Sequence, residues 1–263
     1  DASFTQVDIK DTVFNKRKDD TDKRADIKAE ATSSSNLTVG IGSLSVHIGQ
    51  GAGIGVSIAV LKDNATTAAT MSGGGVENTH DFTLQATGKT DMTALIIGGS
   101  GALHAGVSGG ALGASIAHNV AAYMEESVLN MNGALTIKAE NTSNVGRDHG
   151  PRFTIANAAV GKGGVGVGVS VIDVADIVSA HAHNVSVNSG SMAVTADETS
   201  NADSVTVNLA GGLYAGAELN VVRPVLRGIA EASITADRAT TKGGATVGIT
   251  TTSGGLSVKA NNN

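Results

Sequence analysis

Thr136-Ile137-Lys138-Ala139-Glu140-Asn141-Thr142-Ser143-Asn144 returns in the same pattern as Ala193-Val194-Thr195-Ala196-Asp197-Glu198-Thr199-Ser200-Asn201, with the last four residues almost identical. Shorter copies of its opening stand at Asp26-Ile27-Lys28-Ala29-Glu30, Thr83-Leu84-Gln85-Ala86-Thr87 and Ser257-Val258-Lys259-Ala260-Asn261. The alanines of these phrases lie at 29, 86, 139, 196 and 260, so the phrase recurs after 57, 53, 57 and 64 residues. Self-similarity at an interval of this size marks a supersecondary unit stacked on copies of itself.

Inside the phrase the period is two. Leu135, Ile137 and Ala139 alternate with Thr136 and Lys138, and Val165, Val167, Val169 and Val171 alternate with Gly166, Gly168 and Ser170. Such alternation sets one face of a strand inward and the other outward. Gly, Asn, Asp and Ser cluster where the runs end and the chain must turn. No apolar stripe at helical spacing persists over three turns. Each unit divides into three similar blocks: a glycine-punctuated apolar stretch such as Val205-Thr206-Val207-Asn208-Leu209, a second such as Gly168-Val169-Ser170-Val171-Ile172, and a third around Ala69, Ala122, Ala180 or Ala230. Short strands in blocks of roughly 19 residues predict an all-β fold, a right-handed parallel β-helix (β-solenoid) with coils of roughly 19 residues grouped in units of roughly 57. About 13 such coils at ~4.8 Å each would form a rod of roughly 60 Å.

Composition agrees with stacked strands around a narrow interior. Glycine occurs 35 times in 263 residues, roughly twice its usual share. Trp is absent, and Phe and Tyr total six, so the core must be built from Val, Ile, Leu and Ala ladders. The lack of Cys excludes disulfides, thiolate metal sites and a cysteine nucleophile. A net charge of −6 without a basic stripe, and with few stacking rings, speaks against a nucleic-acid partner. Residues 1–25 differ in kind. They are dense in charges of both signs, from Lys10, Arg17 and Arg24 to Asp8, Asp11 and Asp20. They read as a charged loop and the edge of a preceding coil, with Val7-Asp8-Ile9-Lys10 as its strand. Residues 26–263 read as a single β-solenoid domain, a fragment of a longer repeat array.

The order Gly166-Val167-Gly168-Val169-Ser170-Val171, a polar corner, the Ala-rich Ser179-Ala180-His181-Ala182, a glycine, and then a phrase like Leu135-Thr136-Ile137-Lys138-Ala139 resembles repeats of very large secreted exoproteins of Gram-negative bacteria. These are the filamentous-hemagglutinin-like adhesins and the repetitive leukotoxins. The likeness covers about residues 26–260. It implies a secreted or cell-surface rod, exported by two-partner secretion through an outer-membrane transporter. It also implies a virulence role in contacting a host-cell surface protein or glycan. Adhesin and toxin share such stalks, so both stay open. The shared pattern carries over no catalytic residue, no cofactor and no metal ligand.

Other motifs are weaker. Gly161-Lys162-Gly163-Gly164-Val165-Gly166 spells a dinucleotide fingerprint, but that mechanism needs a following helix, and here the alternation of a strand follows. His181 and His183 share one face of a strand, outward if Ala180 and Ala182 point in; two imidazoles fall short of the three or four ligands of a metal site. Asp173 and Asp176, with Lys162, Arg147 or Arg152, are the material for a polysaccharide-lyase-type β-helix enzyme, which requires these groups to converge in a groove. Two stretches interrupt the repeat: Val145–Arg152 and Val221–Arg227. Insertions protrude from one face of a solenoid, often the binding face. Arg147, Asp148, His149, Arg152, Arg223 and Arg227 are therefore the candidate binding residues. The expectation is a non-catalytic host-contact segment, with the lyase or a passive structural stalk as alternatives.

Overall fold

The computed structural model describes residues 2–14, 26–146 and 153–263. The chain is all-β, and every pairing between its named strands is parallel. It starts with β1 (Ala2–Lys10) and β2 (Val13–Phe14). The first full turn comprises β3 (Ile27–His47), β4 (Ala52–Ser72) and β5 (Gly75–Glu77), and the second β6 (Phe82–Ala102), β7 (Ala105–Glu125) and β8 (Val128–Asn130). The third holds β9 (Ala134–Val145), β10 (Phe153–Val174), β11 (Ile177–His183) and β12 (Ser186–Ser189). The fourth holds β13 (Ser191–Ala202), β14 (Ser204–Leu226), β15 (Ile229–Thr235) and β16 (Gly248–Thr251), and β17 (Leu256–Asn262) opens a fifth.

Register fixes what one turn is. Ile27 lies opposite Phe82, Phe82 opposite Leu135, Leu135 opposite Met192, and Met192 opposite Leu256. The chain therefore returns to the same place after one whole repeat. This corrects the sequence expectation: the block of roughly 19 residues is not a coil. The reason is that strands are far longer than the sequence punctuation suggests. β3, β4, β6 and β7 each run for 21 residues. Gly98-Gly99-Ser100-Gly101 reads as a turn but lies inside β6. Gly163 and Gly164 lie inside β10. The molecule is accordingly a slab rather than a 60 Å rod: about five layers at ~4.8 Å, with limbs of roughly 70 Å.

Each turn runs out along one limb, reverses at a tip, returns along the other limb and closes through a short strand. The short strands β2, β5, β8, β12 and β16 stack into a second sheet at the base. The corner after the returning limb holds Asp11, Gly73, Glu126 and Asn184 in successive turns, with φ of 47, 65, 51 and 50°. Their N–H groups donate to the next turn, as Gly73 does to the Glu125 carbonyl at 3.1 Å.

The interior changes character along the limbs, and every turn repeats the change. At the base, Leu84, Ile137 and Val194 pack with Met124, Val178, Ala180 and the short-strand residues Val76, Leu129 and Val187. Full burial of each large side chain contributes about 1.5–3 kcal/mol. Outward neighbours there are polar, and Lys138 pairs with Glu140 at 2.7 Å. Next comes a polar waist, then a second apolar cluster that includes Met92, Ile96, Leu112, Ile116, Phe153, Ile155 and Ile172. Beyond it, towards the tip, the interior consists of small residues, chiefly Gly, Ser and Asn with Ala159.

Candidate functional site

The tip half is turned inside out. Along β4, Gly53, Gly55 and Ser57 are buried, while Ile54, Val56, Ile58 and Val60 are exposed. Along β10, Gly164, Gly166, Gly168 and Ser170 point in and Val165, Val167, Val169 and Val171 point out. The expectation of an aliphatic core thus holds at the base and in the second cluster, and is reversed here. The cause is the separation of the two limbs. A Cβ on Gly106 would lie 2.6 Å from the Val160 carbonyl oxygen of the opposite limb, and one on Gly164 would lie 2.7 Å from that of Gly211. Backbone meets backbone, so only glycine and small polar residues fit between. Asn157 donates across this gap to the Val167 carbonyl at 2.9 Å and along the stack to Asn208 Oδ1 at 2.9 Å.

The large apolar side chains are therefore on the outside, in rows. In-register stacking places Ile58, Ala111, Val169 and Val221 side by side on one broad face. On the other face, Ile97, Ala156 and Val207 form a row. The tips add exposed Ile48, Leu103, Leu213 and Tyr214. Charges collect where the apolar rows stop. Lys62, Ser115 and Asp173 share a row at the waist of one face. On the other face Lys89 pairs with Asp91 at 2.9 Å, and Asn144 donates to Asp91 at 2.9 Å.

The waist interior holds the densest polar cluster among the described residues. Thr90 Oγ1 donates to Asp63 Oδ2 at 2.7 Å, and His118 Nε2 lies 3.3 Å from the same oxygen. His118 Nδ1 faces Asn141 Oδ1 at 3.2 Å, and the Asn141 amide donates to Asp176 Oδ2 at 2.8 Å. Ser143 donates to that oxygen at 2.5 Å, and the His118 N–H donates to Asp176 Oδ1 at 2.8 Å. One turn further on, Glu198 accepts from Ser200. Burial pushes the Glu198 carboxyl above its ordinary value; the Ser200 bond opposes this and the Asp176 charge reinforces it. These groups lie between two apolar clusters and bond to one another across turns, which ties the turns into register.

The sequence candidates fare differently. Arg147, Asp148, His149 and Arg152 lie outside the described residues. Val145 pairs with Met92 and Thr154 with Leu95, so eight residues, 146–153, stand against the two residues 93–94 of the neighbouring turn. Val221–Arg227 is not an insertion, which corrects that expectation: Val221–Leu226 continues β14 in register with Val169–Val174. Pro224 is tolerated because β14 has no strand on its far side among the described residues. Arg223 is exposed beside Val171, and Arg227 chelates Asp173 through Nη2 at 2.6 Å to both carboxylate oxygens. Of the groups considered for a lyase, the three described ones do not meet, and Arg147 and Arg152 lie outside the described residues. Asp173 is on the outer face, Asp176 is inside the waist, and Lys162 is at the tip, eleven residues or roughly 35 Å along the strand from Asp173.

His181 and His183 do point outward over buried Ala180 and Ala182, and each hydrogen-bonds to the next turn, through Ser233 at 2.7 Å and Thr235 at 2.9 Å. Asp26, His80 and Asp81 bring ligand atoms within 4.8 Å of one another at an exposed corner. Asp81 there already accepts the Ala134 N–H at 2.7 Å, so corner hydrogen bonding accounts for the arrangement. No protein-family model, curated protein or solved structure matches the chain.

Proposed function

We propose that this chain is a contact segment of a secreted or surface-bound β-solenoid, acting by adhesion to a cell rather than by catalysis. The observation that supports the reading is the inverted tip half. A face that holds Val, Ile and Leu against water over several turns is one that a partner covers. Repetition adds avidity, because outward Val, Ile and Leu recur on β4, β10 and β14, with the smaller outward residues of β7 between them, and weak contacts sum across a rigid array. The sequence resemblance to secreted adhesins and leukotoxins supports the same reading, including export through an outer-membrane transporter. The waist keeps adjacent strips aligned.

The test is binding of the fluorescently labelled chain to leukocytes and epithelial cells. Saturable binding, competed by unlabelled chain, is expected. Binding that rises linearly with concentration on both cell types would make the segment a passive stalk.

A further inference from the structure

The geometry points to a phospholipid bilayer as what covers the inverted half, which enters it tip first; this rests on the contact reading above and names its partner. The exposure belongs to the faces and not to open strand edges. β6, β7 and β10 are each flanked on both sides by paired strands, yet Ile97 is 53%, Val160 60%, Val165 40% and Val171 41% exposed. Leu103, at the tip between β6 and β7, is 60% exposed.

Three features select lipid over a second protein. First, the apolar surface lies on both broad faces, while at the tip Ile48, Leu103, Leu213 and Tyr214 stand beside exposed His47, His104 and Lys162, so a flat partner on one face would leave the other in water, whereas a fluid phase surrounds both. Second, the area of one face is small. Four turns at ~4.8 Å by seven residues at ~3.3 Å give on the order of 450 Å². A stable interface of standard size takes roughly 800 Å² from each partner, so one face of these four turns by themselves falls short of a self-dimer. Third, the apolar rows end at a belt of charged and polar groups: Lys62, Asp173 and Arg227 on one face, Lys89, Asp91 and Asn144 on the other. That is the arrangement a headgroup layer accommodates, with long cationic side chains reaching out of the apolar zone. The parallel ladders also satisfy the backbone of the inner turns, a condition that hydrocarbon imposes on any strand entering it.

The base half has the opposite exterior. Thr83, Gln85, Thr136 and Lys138 face outward there. The two halves of one slab therefore present two solvents' worth of surface, divided at the waist.

The experiment is flotation of the 263-residue chain with extruded phosphatidylcholine vesicles in physiological salt. The chain is expected to rise with the vesicles. The variant Ile97→Lys/Val160→Lys/Val165→Lys/Val171→Lys, whose changes all project outward, should lower the bound fraction at least tenfold. Gln85→Lys/Thr136→Lys on the base should leave it unchanged. Far-UV circular dichroism checks that each variant folds. A second readout avoids the charge variants altogether. The chain has no Trp, so Val171→Trp supplies a unique fluorophore. Its emission should be quenched by vesicles with brominated acyl chains, and that of Gln85→Trp should not. A chain that stays at the bottom of the gradient, or a Val171→Trp signal indifferent to brominated lipid, overturns the assignment. So does a concentration-dependent dimer that the lysine variant dissociates without any vesicle binding. Saturable cell binding without vesicle binding removes lipid and leaves the contact reading standing; loss of both removes both.

Discussion

Gly106 and Val160 face each other across the slab so closely that the Val160 amide nitrogen and carbonyl oxygen would lie 3.0 and 2.6 Å from any Cβ added to Gly106. The obstacle is backbone on a neighbouring strand, so no rotamer change relieves it. Gly106→Val should therefore force the limbs apart and lower stability by about 1–3 kcal/mol, the usual range for overpacking. Val56→Thr, outward on the same limb, should change stability by less than about 0.5 kcal/mol. Urea unfolding followed by circular dichroism measures both.

Asp63 is the carboxylate that faces the His118 ring in the waist, its Oδ2 3.3 Å from Nε2, with both side chains almost wholly buried. Its removal takes the carboxylate acceptor from the Thr90 hydroxyl inside the protein and leaves it only His118 Nε2, at 3.1 Å. Asp63→Ala should cost about 1–3 kcal/mol, as expected when a buried hydrogen-bond acceptor is deleted. Asp63→Asn keeps an acceptor oxygen for Thr90 and should cost less. Equal losses in the two variants would show that the waist bonds do not hold the turns together.

Glu198 gives the waist a pH dependence of defined sign. Its carboxyl is pushed up from 4.5 by burial, so the folded chain holds that proton more tightly than the unfolded chain. The associated stability is complete below 4.5 and is lost as pH rises through the folded value. Glu198→Gln should thus be more stable than the parent at pH 7, with the two melting curves converging below about pH 4. A parent that is the more stable of the two at pH 7 would contradict this.

The winding step can be tested by cross-linking. Lys138 and Thr195 are register partners 57 residues apart. Neighbouring parallel strands are spaced within the Cα–Cα range of a disulfide. Lys138→Cys/Thr195→Cys should oxidise readily. Lys138→Cys/Ala158→Cys, the pair that a coil of roughly 19 residues would juxtapose, should not. The parent chain has no cysteine to interfere.

The repeat was legible because the phrase at Leu135–Asn144 sits at the base, where Leu135 and Ile137 alternate inward against outward Thr136 and Lys138. Its length in space was not. An inward glycine such as Gly98 reads as a turn former, although it is a strand residue kept small by the Asn157 and Ser108 side chains, 2.5 and 3.0 Å from any added Cβ. The inversion did leave a trace. In β10 the apolar residues are odd-numbered from Val165 to Val171 and even-numbered at Ile172 and Val174, with no bulge between them. A parity change inside an uninterrupted strand means that large side chains have moved from one face to the other. Alternation alone says that two faces exist and not which is dry, so the outer Val rows were missed. The waist was missed because its members, Asp63, Thr90, His118, Asn141 and Asp176, come from three different turns and share no local motif.

Adjacent residues Ser170 and Val171 decide the central claim, the inverted tip half. Ser170 is buried and accepts the Ser204 hydroxyl at 2.6 Å, while Val171 stands on the outer face. Single-cysteine variants Ser170→Cys and Val171→Cys, treated with a water-soluble maleimide under native conditions, report which side chain meets water. Fast labelling at 171 with protection at 170, lifted only in denaturant, is the result expected. Protection at 171 with fast labelling at 170 would place the valines in the core and contradict the account.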